Sequence, residues 1–319
     1  MTFPKAIEIN EEGPREGFQI EKKHYPLADR AKLVDALSET GLSKIQVASF
    51  VSPKAVPTMA DASELFAAIK RKPGVAYTSL YLNIKGFERS RSLDTVDTEG
   101  RIHFYTTDRF ALQNNNRPAE QMRDDQLAMI DLCVNYGVPL EGAYIMTAFG
   151  CNLTGEVPIS AVTDLAVWTA EQCRARHMPI PTIVLADTVG WASPNEVKRR
   201  VNAVRDAVPE ARIGLHLHDT RGLGIANVYA ALEEGVDLFE GSVAGLGGCP
   251  FAGHGDAMAA GNVATEEIVF LAHELGIETG IDLDALIDAA LLAEKIIGRN
   301  LGGRLMHGGS LKAYRSGHS

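Results

Sequence analysis

Short β-rich runs recur along this chain and alternate with stretches of helical periodicity, and that alternation constrains the fold more than any other feature. The runs read KAIEIN, SKIQVASF, VAYTSLYL, RIHFYTT, EGAYIMTAF, TIVLADT, IGLHLHD and DLFEGSV, about eight in all, which is the number a β/α barrel requires. Between them, Ala31, Val34 and Leu37 recur at helical spacing before Gly41, a residue that suits a helix stop. Further on, Ser193 is placed as an N-cap, with Pro194 in the first turn and Glu196 three residues after the cap, and Gly235 closes another helical stretch. Strands alternating with helices and lacking hairpin signals favour a parallel sheet, so the expected fold is α/β, a single (β/α)8 TIM barrel. The barrel is expected over about residues 5–263, extra C-terminal helices over about 264–300, and a glycine-rich, mobile tail over 301–319. With no composition shift, linker or repeat to divide it, the chain reads as one domain.

Composition then excludes several functions. A formal charge of -10 without a Lys/Arg run argues against a nucleic-acid surface. Every long apolar stretch falls far short of the roughly 20 residues a membrane span needs. The opening MTFPKAIEIN has no apolar signal region and no Arg-rich transit pattern, so a cytoplasmic setting is expected. Cys133, Cys151, Cys173 and Cys249 form no CxxC pair, so reduced thiols are the default.

Three segments carry chemistry. In GLHLHDTRG, strand alternation sends Gly214, His216 and His218 to one side and Leu215 and Leu217 to the other. The two imidazoles therefore stand about 7 Å apart along the strand, near enough to share a metal, with half-buried polar residues as the plainer alternative. They lie at the C-terminal end of the seventh run, the face where barrel enzymes place catalytic groups. After the first run, NEEGPREGFQIEK crowds Glu11, Glu12, Arg15, Glu16 and Glu21 into a Gly/Pro-rich turn, as ligands and a cation or as solvated loop charge. After the eighth, GLGGCPFAGHGDAMAAGNVATEE is a permissive loop in which Cys249 lies where a folding lid would bring a thiol over the barrel mouth. Asn262 then opens a helix with Glu266 in its first turn, and an N-cap role is its plain alternative. Loops seven and eight are also the usual phosphate-binding side of such barrels, where a phosphorylated cofactor fits.

Taken together, GPREGFQIEK, ASFVSPKAVPTMAD, GAYIMTAFGC, LADTVGWASP, LHLHDTRGLGIANVYAALEEGV, SVAGLGGCPFA and GNVATEE resemble the 3-hydroxy-3-methylglutaryl-CoA (HMG-CoA) lyases over nearly the whole chain. These lie within a larger metallolyase barrel group that includes isopropylmalate synthases. The resemblance implies a divalent metal, Mg2+ or Mn2+, held by Glu16, His216, His218 and Asn262, with Arg15 as catalytic arginine and Cys249 as lid cysteine. It implies cleavage of HMG-CoA, with coenzyme A as part of the substrate, to acetyl-CoA and acetoacetate; the base is His216 or Asp187. Four departures bear on the substrate. Glu16 stands where family members carry Asp, and Gln46 replaces their glutamate on strand two. The lid is longer, with His254 and Asp256 in the extra stretch, and HFYTTDRFALQNNN matches the family poorly. Citramalyl-CoA lyase, a CoA-independent metal-dependent aldolase and a non-catalytic metal-binding barrel therefore stand as alternatives. No nucleic-acid or membrane partner is expected, and association into a homodimer is.

Overall fold

The computed structural model describes residues 3–248 and 261–315. In chain order β1 (Glu8–Glu11) leads to α1 (Gly13–Ile20) and α2 (Leu27–Ser38), and β2 (Lys44–Ser49) to α3 (Ala62–Ala68). Next come β3 (Ala76–Leu80) with α4 (Ile84–Arg91), then β4 (Gly100–Tyr105) with α5 (Asp108–Asn115) and α6 (Ala119–Tyr136). β5 (Leu140–Met146) precedes α7 (Ile159–Ala175), β6 (Thr182–Ala186) α8 (Pro194–Ala207), β7 (Ile213–His216) α9 (Gly224–Glu233) and β8 (Leu238–Gly241) α10 (Thr265–Glu274). α11 (Leu283–Ile297), α12 (Leu305–Gly308) and α13 (Lys312–Arg315) complete the described chain. Each of the eight strand-like runs of the sequence is a strand.

All described pairings between the eight strands are parallel, in the order β3-β2-β1-β8-β7-β6-β5-β4. Pairing of β1 with β8 joins the two ends of the chain's strand series, which is what curls the sheet into a barrel. The remaining seam, between β3 and β4, is bridged outside the strand ladder. Asp97 N donates to Tyr77 O at 2.9 Å, and Tyr77 N donates to the Asp97 carboxylate at 2.6 Å. Tyr81 OH donates to Glu99 O and accepts from Arg101 N at 3.1 Å. All six residues of β4 are buried, as expected for parallel strands covered by helices outside and packed side chains inside.

Helix starts follow local chemistry. Ser193 caps α8 by accepting from Glu196 N at 3.4 Å, with Pro194 in the first turn, as the sequence suggested. Asn262 does not cap a helix: α10 begins at Thr265 after Ala264, and Asn262 instead pairs with His218 in an antiparallel bridge. Residues 301–315, expected to be mobile, carry two short helices and are tied down by hydrogen bonds. Gly303 N donates to Ala244 O at 3.0 Å, Arg304 N to the Glu267 carboxylate at 2.7 Å, and Arg315 to both oxygens of Glu274 at 2.8 Å. Among the described residues no helix is long and apolar enough to cross a membrane, and Cys133, Cys151 and Cys173 are free and buried.

Candidate active site

The segment GPREGFQ is helix rather than turn. Pro14 sits in the first turn of α1, where its missing N–H costs nothing and its φ suits a helix. Glu11, the last residue of β1, holds the junction: its carboxylate accepts from Gly13 N at 2.7 Å and Val243 N at 2.8 Å. Side-chain bulk at Gly13 is excluded, since an added Cβ would lie 2.5 Å from Glu11 Oε1. This turn sets Arg15 and Glu16 directly above the C-terminal end of the barrel.

His216 ends β7 and His218 follows just beyond it, and their Nε2 atoms approach to 3.1 Å. Glu16 closes the cluster, with Oε1 3.5 Å from His218 Nε2 and Oε2 3.9 Å from His216 Nε2. All three side chains are buried, and one ligand atom from each lies within 4.8 Å of the others. Asn262 donates through Nδ2 to Leu246 O at 3.3 Å, while its buried Oδ1 has no partner among the described residues. Gly247, at φ +87°, presses on the same place; a Cβ there would lie 2.7 Å from Glu16 Cγ and 3.1 Å from Asn262 Nδ2. An anionic oxygen, two imidazole nitrogens and an unpartnered amide oxygen are a donor set suited to a divalent cation. These residues fit a metal.

Electrostatics agree with that use. Burial works to raise the Glu16 carboxyl, but Arg15 and then the two histidines outweigh it and hold it well below the usual carboxylate range. Burial likewise pulls His216 down, yet its hydrogen bond to Glu240 and the charge of Glu16 lift it to about 9. Such an imidazolium is a proton holding a place that a cation can take. Arg15 Nη2 lies 2.5 Å from Glu12 Oε2 and 3.0 Å from Glu16 Oε2, and its Nε donates to Gln46 Oε1. Burial disfavours its charge, but Glu16 and Glu12 more than restore it.

Four groups that sequence reasoning did not single out complete the floor. Glu240 on β8 accepts from Tyr144 OH at 2.6 Å and pairs with His216 Nδ1 at 2.8 Å. Arg101 donates to Glu99 and lies 3.7 Å from Glu12. His103 stacks on Tyr144 with centroids 5.1 Å apart, and burial, helped by Arg101, drives its pKa down to about 3, so it is neutral. The available signal was alternation in RIHFYTT, which aims Arg101, His103 and Tyr105 one way, and a lone carboxylate inside DLFEGSV.

Arg15, Glu16, His216 and His218 line one cavity of about 190 Å³, whose lining also includes the apolar Leu80, Leu82, Phe110 and Met146. Asp187 is not among its lining residues, although Ala186 and Thr188 are. Its Oδ1 accepts from Trp191 N at 2.6 Å, and burial raises its pKa. Gly248 lines the cavity and donates to Glu16 Oε1 at 3.3 Å. Cys249, His254 and Asp256 lie outside the described residues.

The comparisons with known proteins agree along the chain. A family model described as HMGL-like matches residues 6–292. The 3-hydroxy-3-isohexenylglutaryl-CoA/hydroxy-methylglutaryl-CoA lyase of Pseudomonas aeruginosa is 38% identical over 304 residues, covering 95% of this chain and 97% of its own. The mitochondrial hydroxymethylglutaryl-CoA lyase of Gallus gallus is 36% identical, over 90% of this chain and 92% of its own. A crystal structure of hydroxymethylglutaryl-CoA lyase from Pseudomonas aeruginosa superposes with a TM-score of 0.86 at 37% identity, covering 97% of this chain and 98% of that one. An HMG-CoA lyase from Acinetobacter baumannii in complex with coenzyme A and 3-methylmalate gives 0.84 at 34% identity, covering 97% of each chain.

Proposed function

The chain belongs to the HMGL-like family, and from that premise we propose that it is a metal-dependent carbon–carbon lyase that cleaves HMG-CoA to acetyl-CoA and acetoacetate. The observation that carries this reading is the buried Glu16–His216–His218 cluster with the Arg15 guanidinium 3.0 Å from Glu16, all facing one cavity. Glu16, His216, His218 and Asn262 would hold Mg2+ or Mn2+. Such an ion, when bound, supplies Lewis acidity that lowers the pKa of the substrate's tertiary hydroxyl.

The residues of this chain then have separable tasks. The hydroxyl proton is taken by the base, for which the two candidates are His216, which lines the cavity and pairs through Nδ1 with Glu240, and the buried Asp187. As that O–H pair becomes the new ketone C=O, the bond between C2 and C3 breaks and its electron pair enters the thioester as an enolate. Arg15 carries a charge that its acidic neighbours secure and cannot lose it at working pH, so it stabilises the developing enolate oxygen. Cys249, next in sequence after the cavity-lining Gly248, delivers a proton to C2 and completes acetyl-CoA. Leu80, Leu82, Phe110 and Met146 in the cavity lining help keep water from the enolate.

A related 3-hydroxyacyl-CoA is the second reading, motivated by Gln46, which presents a neutral amide to Arg15 Nε. Protein reconstituted with Mg2+ or Mn2+ should release equal amounts of acetyl-CoA and acetoacetate from HMG-CoA. Release of acetyl-CoA and pyruvate from citramalyl-CoA alone would move the substrate to the shorter acid. A protein whose melting is unmoved by CoA and that cleaves neither thioester would refute the acyl-CoA reading and favour a CoA-independent aldolase.

A further inference from the structure

Glu240 is 4% exposed and lies deep in the barrel, where an ionised carboxylate is costly unless its oxygens are matched by specific partners. Both oxygens are matched. Oε2 faces His216 Nδ1 at 2.8 Å and Oε1 accepts from Tyr144 OH at 2.6 Å. The match is made by the sheet: in the parallel β7–β8 ladder His216 and Glu240 are direct register partners, so their inward side chains stand side by side. Tyr144 arrives from β5, across the barrel interior, with its ring stacked on His103 and the Arg101 guanidinium 5.4 Å from its centre. Arg101 in turn approaches Glu12, which holds Arg15. One buried floor therefore underlies both the candidate metal histidine and the candidate enolate-stabilising arginine.

We propose that Glu240, steadied by Tyr144, is a positioning residue that keeps His216 protonated on Nδ1 and turned so that Nε2 faces Glu16 and His218. An imidazole bonded at Nδ1 to a fixed carboxylate has one tautomer and one ring plane, and its Nε2 lone pair is committed to the cavity. Without the carboxylate, a share of the His216 population would present Nε2–H to the site, and that share cannot bind a cation. Among the described residues His218 has no such support, because none of them meets its buried Nδ1. The task of orienting the pair falls on His216 and Glu240. This inference rests on the metal-dependent reading above.

The test is Mn2+ affinity without substrate, followed by electron paramagnetic resonance, alongside the melting temperature of the metal-free protein. Glu240→Leu keeps much of the volume but removes the acceptor, and should weaken Mn2+ binding 10- to 100-fold, the usual range for loss of such a partner. Glu240→Gln keeps an amide oxygen for Nδ1–H and should recover most of that loss. Tyr144→Phe should weaken binding a few-fold and, as the milder change, keeps the test open should the Leu variant not fold. A merely structural role would make affinity follow the metal-free melting temperature, with Gln no better than Leu. Wild-type binding with variants within two-fold of it would overturn this inference alone, whereas a wild-type protein that takes up no Mn2+ would overturn the metal reading and this inference with it.

Discussion

Replacing Glu11 with Gln should stabilise the protein in alkaline solution and leave it nearly unchanged in acid. Glu11 is fully buried, and burial raises its pKa from 4.5 to about 7 despite accepting from Gly13 N, Val243 N and Thr265 Oγ1. A raised carboxyl pKa means that the fold prefers the protonated form. Its favourable contribution is thus complete below about pH 4.5 and is lost as pH climbs through about 7. At about 1.4 kcal/mol per pH unit, the interval amounts to about 3 kcal/mol of destabilisation at pH 8.5. Gln removes that charge and can still satisfy every neighbour. Its oxygen accepts from the two backbone N–H groups, and its amide donates to Thr265 Oγ1, whose hydroxyl turns from donor to acceptor. Urea unfolding of the metal-free wild-type and Glu11→Gln proteins from pH 5 to 8.5 measures the difference without pH-dependent metal binding. The expected gain is about 3 kcal/mol at the top of that range, falling to under about 1 kcal/mol at its foot. A gain of equal size at both ends, or none at pH 8.5, would refute the reasoning and show that the hydrogen bonds, rather than the buried charge, dominate at this junction.

Other substitutions separate the roles within the site. His218→Ala removes one of two imidazole donors and should weaken Mn2+ binding by two orders of magnitude or more, as read by metal titration; a fully loaded variant would give His218 some other purpose. Cys249→Ser should keep metal content and CoA affinity while kcat falls at least 100-fold, as for loss of a general acid, and an unchanged kcat would make the thiol structural. Gln46→Ala takes the acceptor from Arg15 Nε, a charge-assisted bond worth roughly 1.5–3 kcal/mol. It should cost about 10- to 100-fold in kcat with Mn2+ affinity held within two-fold, and parallel losses in both would show that Gln46 supports the metal cluster instead.

Much of the site was legible because the signals are local. Period-two alternation in GLHLHD put His216 and His218 on one face, and short β-rich runs between helical stretches marked each strand. The α1 segment misled because glycine and proline read as a turn, although proline is at home in a helix's first turn. Asn262 was found, but its setting was not: it pairs with His218 across a bridge instead of capping α10.

What the order of residues determined by itself was the number of strands, the inward sets on each, and the residue types at the ends of β1 and β7. Tertiary structure alone decided which inward groups meet. Glu240 reaches His216 from 24 residues away and Tyr144 reaches Glu240 from 96, because sheet register and barrel curvature, rather than spacing along the chain, choose the neighbours of a side chain that points inward. Alternation states which way a residue faces; only the curled sheet states what it faces.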